Sequence, residues 1–213
     1  MVLAVSLIYD FILLRQYNNE TNTFSSSLGA MVDISYYLAI LLASFWIMLP
    51  AYIPNPAAVV GGGGTPIDLG RRFSDGKRIL GDGKTYRGFL VGAAAGVAIG
   101  VLQIAVQQLF PTIAVPNHTY LSVLLLAVGA LTGDAVKSFF KRRAGKERGA
   151  KWPIADQYDL VAGALLFLAI FDLPWFLAEI TPLRLVAILL ITPILHRLVN
   201  LVGYAARLKD VPW

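Results

Sequence analysis

The chain has 213 residues, 57% of them hydrophobic and 15% charged, with no cysteine and a formal net charge of +5. A soluble domain carries about 25% charged residues, so this composition excludes an ordinary water-soluble fold and indicates an integral membrane protein. The lack of cysteine excludes disulfides, thiolate nucleophiles and zinc–sulfur sites, and in so apolar a chain the basic excess points to anionic lipid or phosphorylated ligands, not to nucleic acid.

Residues 1–30 begin with VLAVSLIYDFILLRQ, which is interrupted by Asp10, too short to span, and without the basic start of a signal peptide. We read 1–30 as an extension that lies on the membrane surface or is poorly ordered, and 31–213 as a single transmembrane domain carrying all candidate catalytic residues. A bilayer core takes roughly 20 apolar residues per helix. Five segments qualify, at about 32–53, 88–110, 119–140, 158–178 and 182–204. The fold class expected is therefore an all-α integral membrane protein of five transmembrane helices, with no internal repeat.

Thirteen of the 18 Lys and Arg residues fall in two places, 71–87 and 137–151, while the connections PTIAVPNHT and AEITP carry none. The positive-inside rule then makes the loops at about 54–87 and 141–157 cytoplasmic, the N-terminus external and the C-terminus, with Arg207 and Lys209, internal. The expected localisation is the cell membrane, multi-pass, with the site facing the cytoplasm.

The first charged loop reads GGGGTPIDLGRRFSDGKRILGDGKTYRG. Glycines let several N–H groups converge on an anion and let a phosphate approach closely. Lys84, Arg78 and Arg87 add charge, and Thr65 and Thr85 can donate hydroxyl hydrogen bonds. Adhesion to anionic lipid accounts for the arginines, but not for the glycines or for Asp68, Asp75 and Asp82 among them. GDGKT is not a Walker A loop, because Arg78 stands where that pattern needs glycine. The second span follows with Gly88, Gly92, Gly96 and Gly100 on one helical face, a stripe for close packing within the bundle or, less favoured, with a second copy.

The third span ends in GDAVKSFFKRR. Asp134, Lys137, Ser138 and Lys141 share one face of a helix, and a lone carboxylate at the membrane edge is costly without a cation. Asp156 and Asp159 open the fourth span, also on one face. One aspartate there is explained by the helix dipole; two, with Asp134 on the neighbouring span, suggest a Mg²⁺ cage of carboxylates. The fifth span carries His196, Asn200 and Tyr204 as a stripe that either bonds helix to helix or meets a lipid headgroup. Trp46, Trp152, Trp175 and Trp213 read as interface anchors.

Gly133-Asp134, Ser138, Lys141-Arg142, the linker RAGKERGAK, Pro153 and Asp156-Gln157-Tyr158-Asp159 resemble the late signature of the phosphatidate cytidylyltransferase superfamily. Gly70-Arg71 and Lys84-Thr85-Tyr86-Arg87-Gly88 are similar to an earlier element of it, so the resemblance covers about residues 65–165. WPIADQYD in place of the bacterial and eukaryotic pattern, the short chain, the first loop and the terminal LKDVPW look like the archaeal branch, the CDP-archaeol synthases. That resemblance implies CTP and 2,3-bis-O-geranylgeranylglyceryl phosphate, a polyprenyl glycerol phosphate lipid, as substrates, Mg²⁺ as cofactor, and transfer of CMP with release of pyrophosphate.

The catalytic set expected is Asp134, Lys137, Lys141, Asp156 and Asp159, with Asp134, Asp156 and Asp159 on the metal. Lys84, Lys137, Lys141 and Arg142 are assigned to the triphosphate, and Asp68, Asp75 and Arg78 to positioning nucleotide or lipid phosphate. Thr65, Thr85, Arg87, Ser138 and His196 complete the expected substrate-binding set. DGKRIL lacks the Ala-Arg of the CDP-alcohol phosphotransferases, which excludes that family. The alternative from another class is a non-catalytic lipid-binding membrane protein or small transporter, disfavoured because the ionisable residues gather at span ends and not mid-membrane.

Overall fold

Proline, threonine and serine set most of the helix boundaries. The computed structural model describes residues 26–208 apart from 114 and 148, with side chains from residue 34 on. The first 25 residues of the expected extension, Arg148, Lys209 and Trp213 lie outside the described residues. Helix α1 (Ser26–Tyr52) passes through Ile53 into α2 (Pro54–Gly61). After the first charged loop, α3 (Tyr86–Leu109) starts at Thr85, whose hydroxyl accepts the Gly88 N–H. Helix α4 (Tyr120–Arg143) opens with a reciprocal cap between Thr119 and Ser122. Then come α5 (Ala155–Phe171), the short α6 (Leu173–Glu179) capped by Asp172, and α7 (Pro182–Ala205) capped by Thr181.

Among the described residues there are two isolated antiparallel bridges in the first loop, Pro66 with Thr85 and Arg72 with Arg78, and no strand. Four stretches are long and apolar enough to cross a membrane: Ile34–Gly61, Tyr86–Leu109, Tyr120–Arg143 and Pro182–Ala205. The expected fourth span, 158–178, differs. Asp172 and Pro174 break it into α5, of 17 residues, and α6. At 1.5 Å per residue α5 is roughly 25 Å long, a little under a bilayer core of about 30 Å.

The chain packs as a membrane bundle. Ile47, Met48, Leu126, Ala164, Leu168 and Ile188 are buried at its centre. Leu90, Leu102, Leu190 and Ile194 are each more than half exposed, the pattern expected of lipid-facing surface. The four-glycine stripe of α3 lies inside the bundle: Cβ atoms there would strike Pro50, Pro54 and Ala58 of α1–α2 and Val123, Ala127 and Leu131 of α4. The reading as a contact with a second copy is thus replaced by packing within one chain.

Prolines free helix carbonyls, and the bundle satisfies them. Pro50 has no N–H for the Trp46 carbonyl, which accepts instead from Gln103 Nε2 at 2.8 Å and His118 Nε2 at 3.4 Å. Pro193 frees the Leu189 carbonyl, and Tyr158 donates its hydroxyl there at 3.0 Å. Two of the expected interface anchors therefore belong to the bundle. Trp175 is buried, donates Nε1 to the Asn117 carbonyl at 2.7 Å and stacks on His118. Trp46 is half-buried beside the same residues.

Candidate functional site

Helices α4 and α5 cross on glycine. A Cβ on Gly133 would collide with the Asp159 carbonyl, one on Gly163 with the Gly129 carbonyl and the Gly133 backbone, and one on Gly129 with Ala164. Such contact brings two backbones together without intervening side chains. It also sets Asp134, next to Gly133, opposite Asp159, one turn before Gly163.

The result is a cluster of alternating charge. Lys137 Nζ lies 3.0 Å from Asp134 Oδ1, 3.3 Å from Asp156 Oδ1 and 2.6 Å from Asp159 Oδ2. Lys141 Nζ lies 3.0 Å and 3.3 Å from the two Asp156 oxygens. Lys84 reaches in from the first loop and pairs with Asp134 Oδ2. Three carboxylates thus meet three ammonium groups, from pairs 3 to 50 residues apart in sequence, and their charges nearly cancel. Asp156 also accepts the Trp152 N–H at 2.7 Å, which fixes the turn before α5. In that turn Ile154 has φ 70, a left-handed conformation costly for a β-branched residue.

Among the described residues no three His, Asp or Glu side chains form a ready metal cage; the point on which Asp134, Asp156 and Asp159 converge is held by Lys137. The donor set nevertheless fits Mg²⁺, which is bound through one or two carboxylates and completes its shell with water and phosphate oxygen.

Along the α4–α5 seam a lateral groove of about 430 Å³ leads away from this cluster. Lys137 and Asp159 stand in its wall, and Val136, Phe140, Trp152, Ile154, Leu166 and Phe167 make the rest largely apolar. The sequence had given no sign of this groove, which exists only once the two helices cross.

The first loop folds around Asp68. The Asp68 carboxylate accepts from Arg78 at 2.7 and 3.2 Å and from the N–H groups of Gly70, Leu80 and Gly81 at 2.9 to 3.2 Å. Burial alone would raise its pKa; the Arg78 guanidinium and the three N–H groups outweigh that and hold it well below the usual carboxylate range. Arg78 also pairs with Asp82 at 2.6 Å. Asp75 pairs with Arg143 at 3.0 Å. These three residues, expected to position substrate, stand in the loop's own scaffold.

Thr85 likewise caps α3, and Ser138 is buried with its hydroxyl on the Asp134 carbonyl at 2.8 Å. Thr65 and Arg87 are exposed on the loop side. Arg142 is half-buried against Gly81, and its Nε makes no hydrogen bond among the described residues. His196 sits half-buried on α7, one turn before the buried Asn200. Sequence reasoning passed over Phe73, Phe139 and Arg143, which tie the two charged loops together. The i to i+4 spacing of Phe139 and Arg143 on α4 was legible, but Lys77, which Arg143 meets, lies 66 positions away in the first loop.

Comparison with known proteins identifies the family. A family model described as CarS-like, CDP-archaeol synthase, matches residues 37–213. The chain is 62% identical over 166 residues to the CDP-archaeol synthase of Methanosphaerula palustris and 56% identical over 166 residues to that of Methanoculleus marisnigri. Each alignment covers 78% of this chain and all of the relative. A solved structure described as an intramembrane enzyme for archaeal membrane lipids biosynthesis aligns with a TM-score of 0.56 at 36% identity, over 79% of this chain and 95% of the other.

Proposed function

This chain belongs to the CDP-archaeol synthase family, the CTP-dependent cytidylyltransferases of archaeal membrane lipid synthesis, and from that premise we propose that it moves CMP from CTP to 2,3-bis-O-geranylgeranylglyceryl phosphate. The observation that carries the reading is the lysine–aspartate cluster at the end of an apolar groove. One part suits a polyphosphate and the other suits a prenyl chain, and they share Lys137 and Asp159.

An oxygen of the lipid phosphate attacks the α-phosphorus of CTP. A new P–O bond forms there, the bond to the β-phosphate oxygen breaks, and pyrophosphate leaves with the electron pair. A phosphate monoester is already a nucleophile, so no Ser, Cys or His nucleophile is required. Catalysis is then alignment and charge neutralisation. Lys84, Lys137 and Lys141 exchange carboxylate oxygens for phosphate oxygens as the triphosphate arrives, and Arg142 beside Gly81 adds a further cation on that side. Asp134, Asp156 and Asp159 are the residues that would hold Mg²⁺, which when bound supplies Lewis-acid stabilisation of the phosphate oxygens. Asp68 and Arg78 keep the loop shaped; Thr65, Arg87 and His196 remain candidates for contacts to nucleotide or headgroup. The groove seats the part of the prenyl chain nearest the phosphate, leaving the remainder in the bilayer. We place the site at the cytoplasmic face, with α5 and α6 together as a fifth crossing.

The test is transfer of label from [α-³²P]CTP to an organic-soluble product by purified protein supplied with the lipid phosphate and Mg²⁺. Label in the organic phase that disappears on chelation and returns with Mg²⁺ is the expected result. Transfer that persists without any divalent cation removes the metal assignment, and nucleotide binding without transfer removes the catalytic reading.

A further inference from the structure

Arg143 is the last residue of α4, and its guanidinium lies within the first loop. Nη2 donates to the carbonyls of Lys77 at 3.2 Å and Arg78 at 2.6 Å, and Nε lies 3.0 Å from the Asp75 carboxylate, an ion pair without hydrogen-bond geometry. Its face covers Phe73 and Phe139 at 4.8 and 4.9 Å from the ring centres, and those rings meet edge to face. In the other direction Lys77 Nζ donates to the Arg143 carbonyl at 3.1 Å, an acceptor that a helix C-terminus leaves open. Only a planar fork with π-stacking faces serves two carbonyls, a carboxylate and two rings together; an ammonium has one point charge to offer.

A continuous path leads from this clamp to the cluster. Arg143 holds the backbone of Arg78, and the Arg78 side chain holds Asp68. Asp68 holds the N–H groups of Leu80 and Gly81, and the Gly81 carbonyl accepts the Lys84 N–H at 3.2 Å. Lys84 then reaches Asp134.

We propose that Arg143 is a positioning residue of the nucleotidyl-transfer site: it anchors the 73–78 turn of the first loop to α4 and thereby presents Lys84 at Asp134. The proposal rests on Lys84 being a ligand of the triphosphate. Without the clamp, the incoming nucleotide has to order the loop itself, which lowers apparent affinity. Once nucleotide is bound, Lys84 is back in place and the chemical step proceeds. A residue needed merely for folding would instead lower the amount of active protein and leave KM alone.

The experiment uses the full-length protein in detergent, with lipid phosphate and Mg²⁺ saturating and CTP varied, for wild type, Arg143→Lys, Lys84→Gln and the double variant. Arg143→Lys is expected to raise KM for CTP about tenfold with kcat within about threefold of wild type. In the Lys84→Gln background the same change adds less than about threefold, because the group it positions is gone. Trypsin, which cuts after Arg71, Arg72, Lys77 and Arg78, should nick the Arg143→Lys loop faster than wild type, with saturating CTP restoring protection. Phe73→Leu, which removes one of the two rings against the guanidinium, should reproduce both effects if Arg143→Lys yields no folded protein. An unchanged KM with unchanged cleavage, a loss confined to kcat, or full additivity with Lys84→Gln overturns the proposal. If Lys84→Gln leaves KM unchanged, the assignment of Lys84 fails instead, and the tryptic comparison alone then decides whether Arg143 holds the loop.

Discussion

Two buried polar side chains show how far a neighbourhood decides what a residue does. His118 is buried with its ring stacked on Trp175 and Nε2 on the Trp46 carbonyl. Burial pushes its imidazole down to about 4, and the bond to the Trp46 carbonyl, pulling upward, does not offset it. The folded pKa thus lies below the unfolded value of about 6.5. Between these two values the unfolded chain binds a proton that the folded one does not, so stability is whole above about pH 6.5 and falls as the pH drops toward 4, by at most about 1.4 kcal/mol per pH unit. Asp68 is also shifted downward, but for a carboxylate that favours the charged form, so its contribution is kept throughout that window and lost only at more acid pH. Thermal unfolding in detergent from pH 7.5 to 4.5 should therefore show a decline that His118→Gln flattens; equal slopes would refute the assignment. Asp156 is the matching residue at the site. Asp156→Asn keeps shape but takes the charge facing Lys137 and Lys141, and transfer of CMP should fall about a hundredfold or more with the protein still folded. Turnover close to wild type would take Asp156 out of the mechanism.

Between elements, the decisive contact is the glycine crossing of α4 and α5. Gly133→Ala drives a methyl group into the Asp159 carbonyl, and overpacking of this kind costs about 1–3 kcal/mol. It also parts Asp134 from Asp159, so turnover per folded molecule should drop along with the melting temperature. Gly100→Ala is the control: its methyl group meets Val123, far along the bundle, so it should lower the melting temperature and spare turnover. Equal turnover in the two variants would mean that the crossing does not set the site. The sequence showed the α3 glycines and hid these, for a physical reason. Gly88 to Gly100 recur four times on one helix, where period alone reveals a face, whereas Gly129 and Gly133 are a single pair at that spacing and become a seam only when Gly163 of another helix meets them. The face Asp134–Lys137–Ser138–Lys141 was legible on the same local ground, and its junction with Asp156 and Asp159 followed from both lying at neighbouring span ends. The Asp68 scaffold was not legible, because three converging N–H groups leave no mark in a string of side chains. Nor was the break at Asp172, since a window of hydropathy averages across a cap and a proline.

For the whole molecule, the open quantity is which end faces which compartment and how often the chain crosses. Both charged loops leave one end of the bundle, as the contacts of Lys77 with Arg143 and Lys84 with Asp134 require. The other end carries Asn117 against Trp175 and the pair Arg184–Glu179. Helix α7 runs parallel to α1, because Ser44 meets the Arg184 carbonyl and Tyr52 meets Thr192. Since thirteen of the 18 Lys and Arg residues fall within the sequence segments 71–87 and 137–151, that end should be cytoplasmic. The chain has no cysteine, so single cysteines report without background. Thr112→Cys, exposed beyond α3, should react with a membrane-impermeant maleimide on intact cells, and Glu147→Cys, exposed in the second loop, only after permeabilisation or in inverted vesicles. Ala206→Cys, just past α7, decides the number of crossings. With α7 parallel to α1, it should label from the same side as Glu147→Cys; labelling together with Thr112→Cys would contradict that packing and remove the fifth crossing.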